Sequence, residues 1–146
     1  MKKFLVLLFA SVALCYEGVP FTDCGSEFSI DKVVIEDCIG LNEDEVCHLQ
    51  IGKNVSVVIT FDKYLEVNSM KSSAFINMFG QDFKLPVSPN SCDHMKCPVT
   101  LKDNVNTFRA NVTLNSRIPG PAIFRLMSTH KRNKSVFCLT TKVNLF

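Results

Sequence analysis

The chain has no tryptophan, and only two tyrosines, six glycines and six prolines among its 146 residues. Its formal net charge is +2, which argues against a general nucleic-acid binder. It has no Gly-x-Ser-x-Gly elbow, no His-Glu-x-x-His and no glycine-rich phosphate loop. Its three histidines, His48, His94 and His130, sit among unrelated polar neighbours. Catalytic residues, a metal site and a cofactor are therefore not assigned. No stretch shows a long, capped 3.6-residue period, so a helical bundle is not expected. Beyond the first fifteen residues no apolar run approaches the roughly 20 residues a membrane helix needs. There is no internal repeat, linker or low-complexity segment.

What is abundant is phenylalanine, twelve residues, and cysteine, seven, within a chain that is 47% hydrophobic. An odd cysteine count in a disulfide-rich chain asks for an explanation. The N-terminus offers one. Lys2 and Lys3 precede an apolar run from Phe4 to Ala10, and small residues follow up to Cys15. That is the pattern of a secretory signal peptide. Cleavage after Cys15 is expected, with Ala13 as the alternative. The domain is then residues 16–146, secreted and extracellular, with the endosomal or lysosomal lumen as a further destination.

Six cysteines remain, Cys24, Cys38, Cys47, Cys92, Cys97 and Cys138. Their spacings do not form two short ligand pairs, so disulfides are expected rather than zinc. Six cysteines leave fifteen connectivities open. Asn54, Asn111 and Asn133 each begin an N-glycosylation tripeptide, and the Asn90 tripeptide is weaker because its third residue is Cys92. Charge is uneven along the chain. Residues 16–50 carry nine acids and one base, whereas residues 51–146 carry five acids and thirteen bases. Either two faces of one fold complement each other, or a basic rim attracts anionic lipid or an acidic partner. Lys131-Arg132-Asn133-Lys134 is the one basic cluster, expected in a hairpin turn.

Period-two alternation dominates the chain. Val55, Val57, Ile59 and Phe61 share one face, as do Phe108, Ala110, Val112 and Leu114. Further strands are expected at 28–36, 72–79, 83–87, 122–129 and 136–145, separated by turn signals such as Ile118-Pro119-Gly120-Pro121. About seven short strands in one domain suggest an antiparallel β-sandwich. In the 72–79 strand the inward parity is open, with Ala74, Ile76 and Met78 the more uniformly apolar face.

Several motifs occur in order along the chain. Phe21-Thr-Asp-Cys24-Gly25-Ser26 opens the domain. Cys92 is followed by Cys97-Pro98, with Lys102-Asp103 beyond. Asn133-Lys-Ser-Val-Phe137-Cys138 introduces the last strand. This ordered combination resembles the ML lipid-recognition family, in its Niemann–Pick sterol-carrier and mite group-two allergen branch. The resemblance implies an immunoglobulin-like sandwich with a hydrophobic cavity between the sheets. It implies Cys24–Cys138, Cys38–Cys47 and Cys92–Cys97 as the bridges. It also implies a non-enzymatic carrier of a sterol, fatty acid or other lipid, monomeric, in transient contact with an anionic membrane or a receptor. An innate-immune adaptor for microbial lipid is the alternative role.

Matched to the family, Phe83 is expected at the pocket and Leu114 and Ile118 at its entrance. Val55, Val57 and Ile59 are expected on a lining strand, with Ile35, Ile76, Met78 and Phe124 as neighbours. Leu126 and Leu139 stand where the sterol carrier has tryptophan. Loss of that bulk suggests a wider or differently shaped space, and other lipids fit it as well as a sterol.

Overall fold

In the computed structural model, residues 18–41, 45–131 and 134–146 are described. The expected leader, the acids Glu43 and Asp44, and the Asn133 tripeptide's first residue lie outside them. Among the described residues nine strands follow one another: β1 (Thr22–Asp23), β2 (Ser29–Ile35), β3 (Cys47–Leu49), β4 (Asn54–Asp62), β5 (Lys71–Met78), β6 (Gln81–Leu85), β7 (Thr107–Thr113), β8 (Gly120–His130) and β9 (Lys134–Leu145). A short 3-10 turn spans Ser91–Asp93. The seven anticipated strands are present, and β6, β8 and β9 each begin two residues earlier than expected. The two unanticipated strands, β1 and β3, are two and three residues long. Runs that short carry no legible alternation, and both form by adding to β9.

The strands make two sheets. One runs β1-β9-β8-β5-β6, with β3 also against β9, and the other runs β2-β4-β7. All pairings are antiparallel except β3 with β9. Strict alternation fixes which side chains meet, because successive residues of a strand point to opposite faces. In β4, Val55, Val57, Ile59 and Phe61 are buried. They pair across with Ile35 and Val33 of β2 and with Val112, Ala110 and Phe108 of β7. In the larger sheet Ala74, Leu126 and Leu139 form one inward row, and Ile76, Phe124 and Thr141 the next. The inward parity of β5 is thus the Ala74, Ile76, Met78 face.

At one end of the core Phe28, Phe61, Phe108 and Phe137 meet in edge-on and stacked pairs. Two turns depend on left-handed backbone. Gly18 has φ +78, and a Cβ there would lie 2.6 Å from the Val33 carbonyl oxygen, so only glycine fits. The β5–β6 turn uses Phe79 at φ +53 and Gly80 at φ +76, the sign pattern of a two-residue type I′ turn. The three bridges are Cys24–Cys138, Cys38–Cys47 and Cys92–Cys97.

The strand order also resolves the uneven charge. Asp23, Glu27, Asp31, Glu36 and Asp37 lie on or beside β1 and β2. These strands are neighbours, because the amides of Glu27 and Phe28 donate to the carbonyls of Ser135 and Val136 in β9. Lys84 on β6, Arg109 on β7 and Arg117 beyond it lie at the opposite edge. There the Thr113 amide donates to the Pro86 carbonyl. These five acids and three bases thus lie at opposite edges, with Lys32 on β2 and Asp82 on β6 as exceptions. The Arg109–Glu36 pair, 2.6 Å on the outer face of the smaller sheet, reaches across.

Candidate functional site: the space between the sheets

Ten of the twelve anticipated site residues converge. Ile35, Val55, Val57, Ile59, Ile76, Met78, Leu114, Phe124, Leu126 and Leu139 all face the space between the sheets and are at most 2% exposed. Each arrives there by strand parity, and Leu114 by following β7 directly. Val57, Ile59, Ile76, Leu114 and Leu139 have no exposed area, so they border no space that could hold a water molecule. At these five positions the two walls are in close contact. The reason is packing: aliphatic side chains from two facing sheets interdigitate and fill the gap between them.

The other two residues mark the rim. Phe83 is the register partner of Ile76, so it shares the inward face. It lies on the edge strand β6, and 41% of it is exposed. Ile118, in the connection from β7 to β8, is 44% exposed. The rim thus lies at the β6–β7 edge, where the Thr113 amide donates to the Pro86 carbonyl. Lys84 and Arg117 are the sequence neighbours of these two residues. Neither is in an ion pair with a described residue.

Several side chains that pattern reading passed over shape the site's far end. Ser72 of β5 and Ser128 of β8 are register partners on the inward face. Ser91, from the loop closed by Cys92–Cys97, bridges them. Its Oγ is 2.6 Å from that of Ser72 and 2.7 Å from that of Ser128. The Asn90 side chain accepts from the Cys92 amide and caps this turn. Small polar residues inside an apolar alternation look like interruptions of the pattern. The signal that could have marked them is that Ser72 and Ser128 fall on the inward parity of their strands.

Two ion pairs brace the surroundings. Lys63, just after β4, pairs with Asp103. Hydrogen bonds, first from Lys63, then from Thr100 and the Val105 amide, hold the Asp103 carboxyl well below the ordinary carboxylate range. On the outer face of the larger sheet Arg125 lies 2.6 Å from Asp82 and 4.8 Å from the Phe75 ring centre. Hydrogen bonds from Asn77 and then Arg125 lower the pKa of Asp82. Among the described residues no group of His, Cys, Asp or Glu could hold a metal ion. Open grooves occur on the outside. One of about 680 Å³ is lined by Lys71, Pro89, Asn90 and His130 among others, and one of about 460 Å³ by Phe79, Ile123 and Lys142 among others.

The family model for the ML domain matches residues 18–145. The chain belongs to the ML-domain family. Among solved structures it is similar to a Niemann–Pick type C2 protein from the Japanese carpenter ant. The TM-score is 0.71 at 17% identity, covering 87% of this chain and 99% of that one. At that identity the likeness establishes the shared fold. No curated protein matches the sequence.

Proposed function

We propose that this protein is a non-enzymatic carrier of a sterol, fatty acid or similar hydrophobic molecule, which it holds between its sheets and delivers to a membrane. One observation carries the reading. Two facing walls of aliphatic and aromatic side chains end at a rim where Phe83 and Ile118 are exposed beside Lys84 and Arg117. Phe83 is exposed although its register partner Ile76 is fully buried. Membership of the ML-domain family, and fold likeness to a protein titled Niemann–Pick type C2, support it.

The energetics are favourable. Burying about 400 Å² of lipid surface yields up to roughly 10 kcal/mol before the costs of association. Parting the sheets exposes the wall side chains, and the ligand covers them again, so the opened state is stabilised only when occupied. Lys84 and Arg117 place cations at the rim, where they attract anionic head groups. On this reading the chain is secreted after loss of residues 1–15 and acts as a monomer. Glycans at Asn54 and Asn111 would both leave the outer face of the smaller sheet, because Asn54 opposes Thr113 and Asn111 opposes Ser56 in register.

The test is displacement of a hydrophobic fluorophore. Saturable binding is expected, with displacement by fatty acids or sterols. Phe83→Asp should abolish it while leaving the circular dichroism spectrum unchanged, since Phe83 is already at the surface. Purified native protein that carries no lipid by mass spectrometry, and shows no displacement, would sink the proposal.

A further inference from the structure

The inward faces carry two polar rows: Thr141 in one donates to the Pro20 carbonyl, whereas the serines of the other contain more donors than their neighbours can use. Ser91 and Ser128 are 0% and 1% exposed, and Ser72 is 6% exposed. Three hydroxyls supply three protons, and two hydrogen bonds join them. Whichever way the chain of bonds runs, one proton finds no acceptor among the described residues. Each of the three hydroxyls has a partner within the cluster, and the remaining proton is a donor beside an apolar wall. The next inward row, Ala74, Leu126 and Leu139, belongs to the wall described above. No lysine or arginine side chain hydrogen-bonds to the three serines.

We infer that the Ser72–Ser91–Ser128 cluster is the polar subsite of the carrier, and that it selects lipids bearing a neutral oxygen at one end. This inference rests on the carrier reading. An alcohol or carbonyl oxygen accepts the surplus proton, and an alcohol also donates back to a serine Oγ. A saturated hydrocarbon leaves the proton unpaired. An ionised carboxylate enters a buried site with no counter-charge, which is strongly disfavoured. The ligand therefore lies with its oxygenated end toward the Cys92–Cys97 loop and its hydrocarbon toward Phe83 and Ile118.

The experiment compares a long-chain alcohol, the alkane and the ionised fatty acid of the same carbon number as displacers of a bound fluorophore. In the wild-type protein the alcohol should outcompete the alkane by about fivefold, the worth of one neutral hydrogen bond, and should also outcompete the acid. In Ser72→Ala/Ser128→Ala the alcohol-to-alkane ratio should fall to about one. Equal binding of alcohol and alkane by wild type overturns the inference without needing a folded variant. An unchanged ratio in the double variant, or equal losses for every displacer, assigns the serines to pinning the loop and also overturns it. If no displacer of any class binds wild type, the carrier reading itself has failed.

Discussion

At one end of the core four rings, Phe28, Phe61, Phe108 and Phe137, meet with centroids 4.8–5.5 Å apart. At the other, Val55, Val112, Leu114, Met78 and Val143 are aliphatic. The two ends also differ in what ties the sheets down. Beside the rings lie the Cys24–Cys138 bridge, the Lys63–Asp103 pair, the Glu27–His130 pair at 2.5 Å and the loop stapled by Cys92–Cys97. The aliphatic end has the local Cys38–Cys47 bridge and the exposed rim at Phe83 and Ile118. Aromatic pairs add geometric preference to area burial, and a bridge between residues 114 apart constrains the chain more than a local one. Aliphatic contacts are less directional, and Met78 is readily repacked. The lesson is a contrast in restraint: the ring end is tied by aromatic pairs and a long-range bridge, and the aliphatic end by a local bridge alone.

The comparison can be broken most severely at the ring end. Phe137→Ala should cost about 4 kcal/mol in chemical denaturation, the usual loss for a fully buried ring. A cost under about 2 kcal/mol would mean that the rings are not the anchor. At the aliphatic end Leu126→Ala should cost less, about 2–3 kcal/mol, and should shift displacement affinity toward bulkier ligands. The same affinity order as wild type would place the ligand away from Leu126.

The smallest effect concerns pH. The Asp103 carboxyl has a lowered pKa in the fold, so its contribution is present above the unfolded value of 3.8. It is lost only as pH falls through the still lower folded value. Asp103→Asn should lower the melting temperature modestly at neutral pH. The gap to wild type should be the same at about pH 7 and 5 and should narrow below about pH 4. A gap that closes already by pH 5 would show that Asp103 titrates in the acidic range of an endosome, and the ring-end clamp would then loosen there.

Much of this molecule was readable from alternation. A period-two pattern forces parity, so Val55, Val57, Ile59 and Phe61 had to face one side once β4 existed, and Leu126 and Leu139 followed on their own strands. The strands β1 and β3 were not readable, because two or three residues show no period and owe their pairing to β9. Phe83 was legible as a site residue only through the family resemblance. That it is half out of the core follows from β6 being an edge strand, and edge position is a property of sheet order. The serine row escaped notice because a single hydroxyl in a strand has no meaning until two others are within 3 Å of it.

What the sequence determined by itself was the kind of sheet and the faces of its strands, because side-chain direction alternates with every residue and needs no knowledge of the partner. The segregation of acids and bases along the chain was also already there. Only the tertiary structure decided which of these charges lie at which edge, that Phe83 stands half out of the core, and that Ser72, Ser91 and Ser128 share one buried spot. Each of those depends on which distant strands and loops become neighbours, and a periodic pattern within one strand carries no information about that.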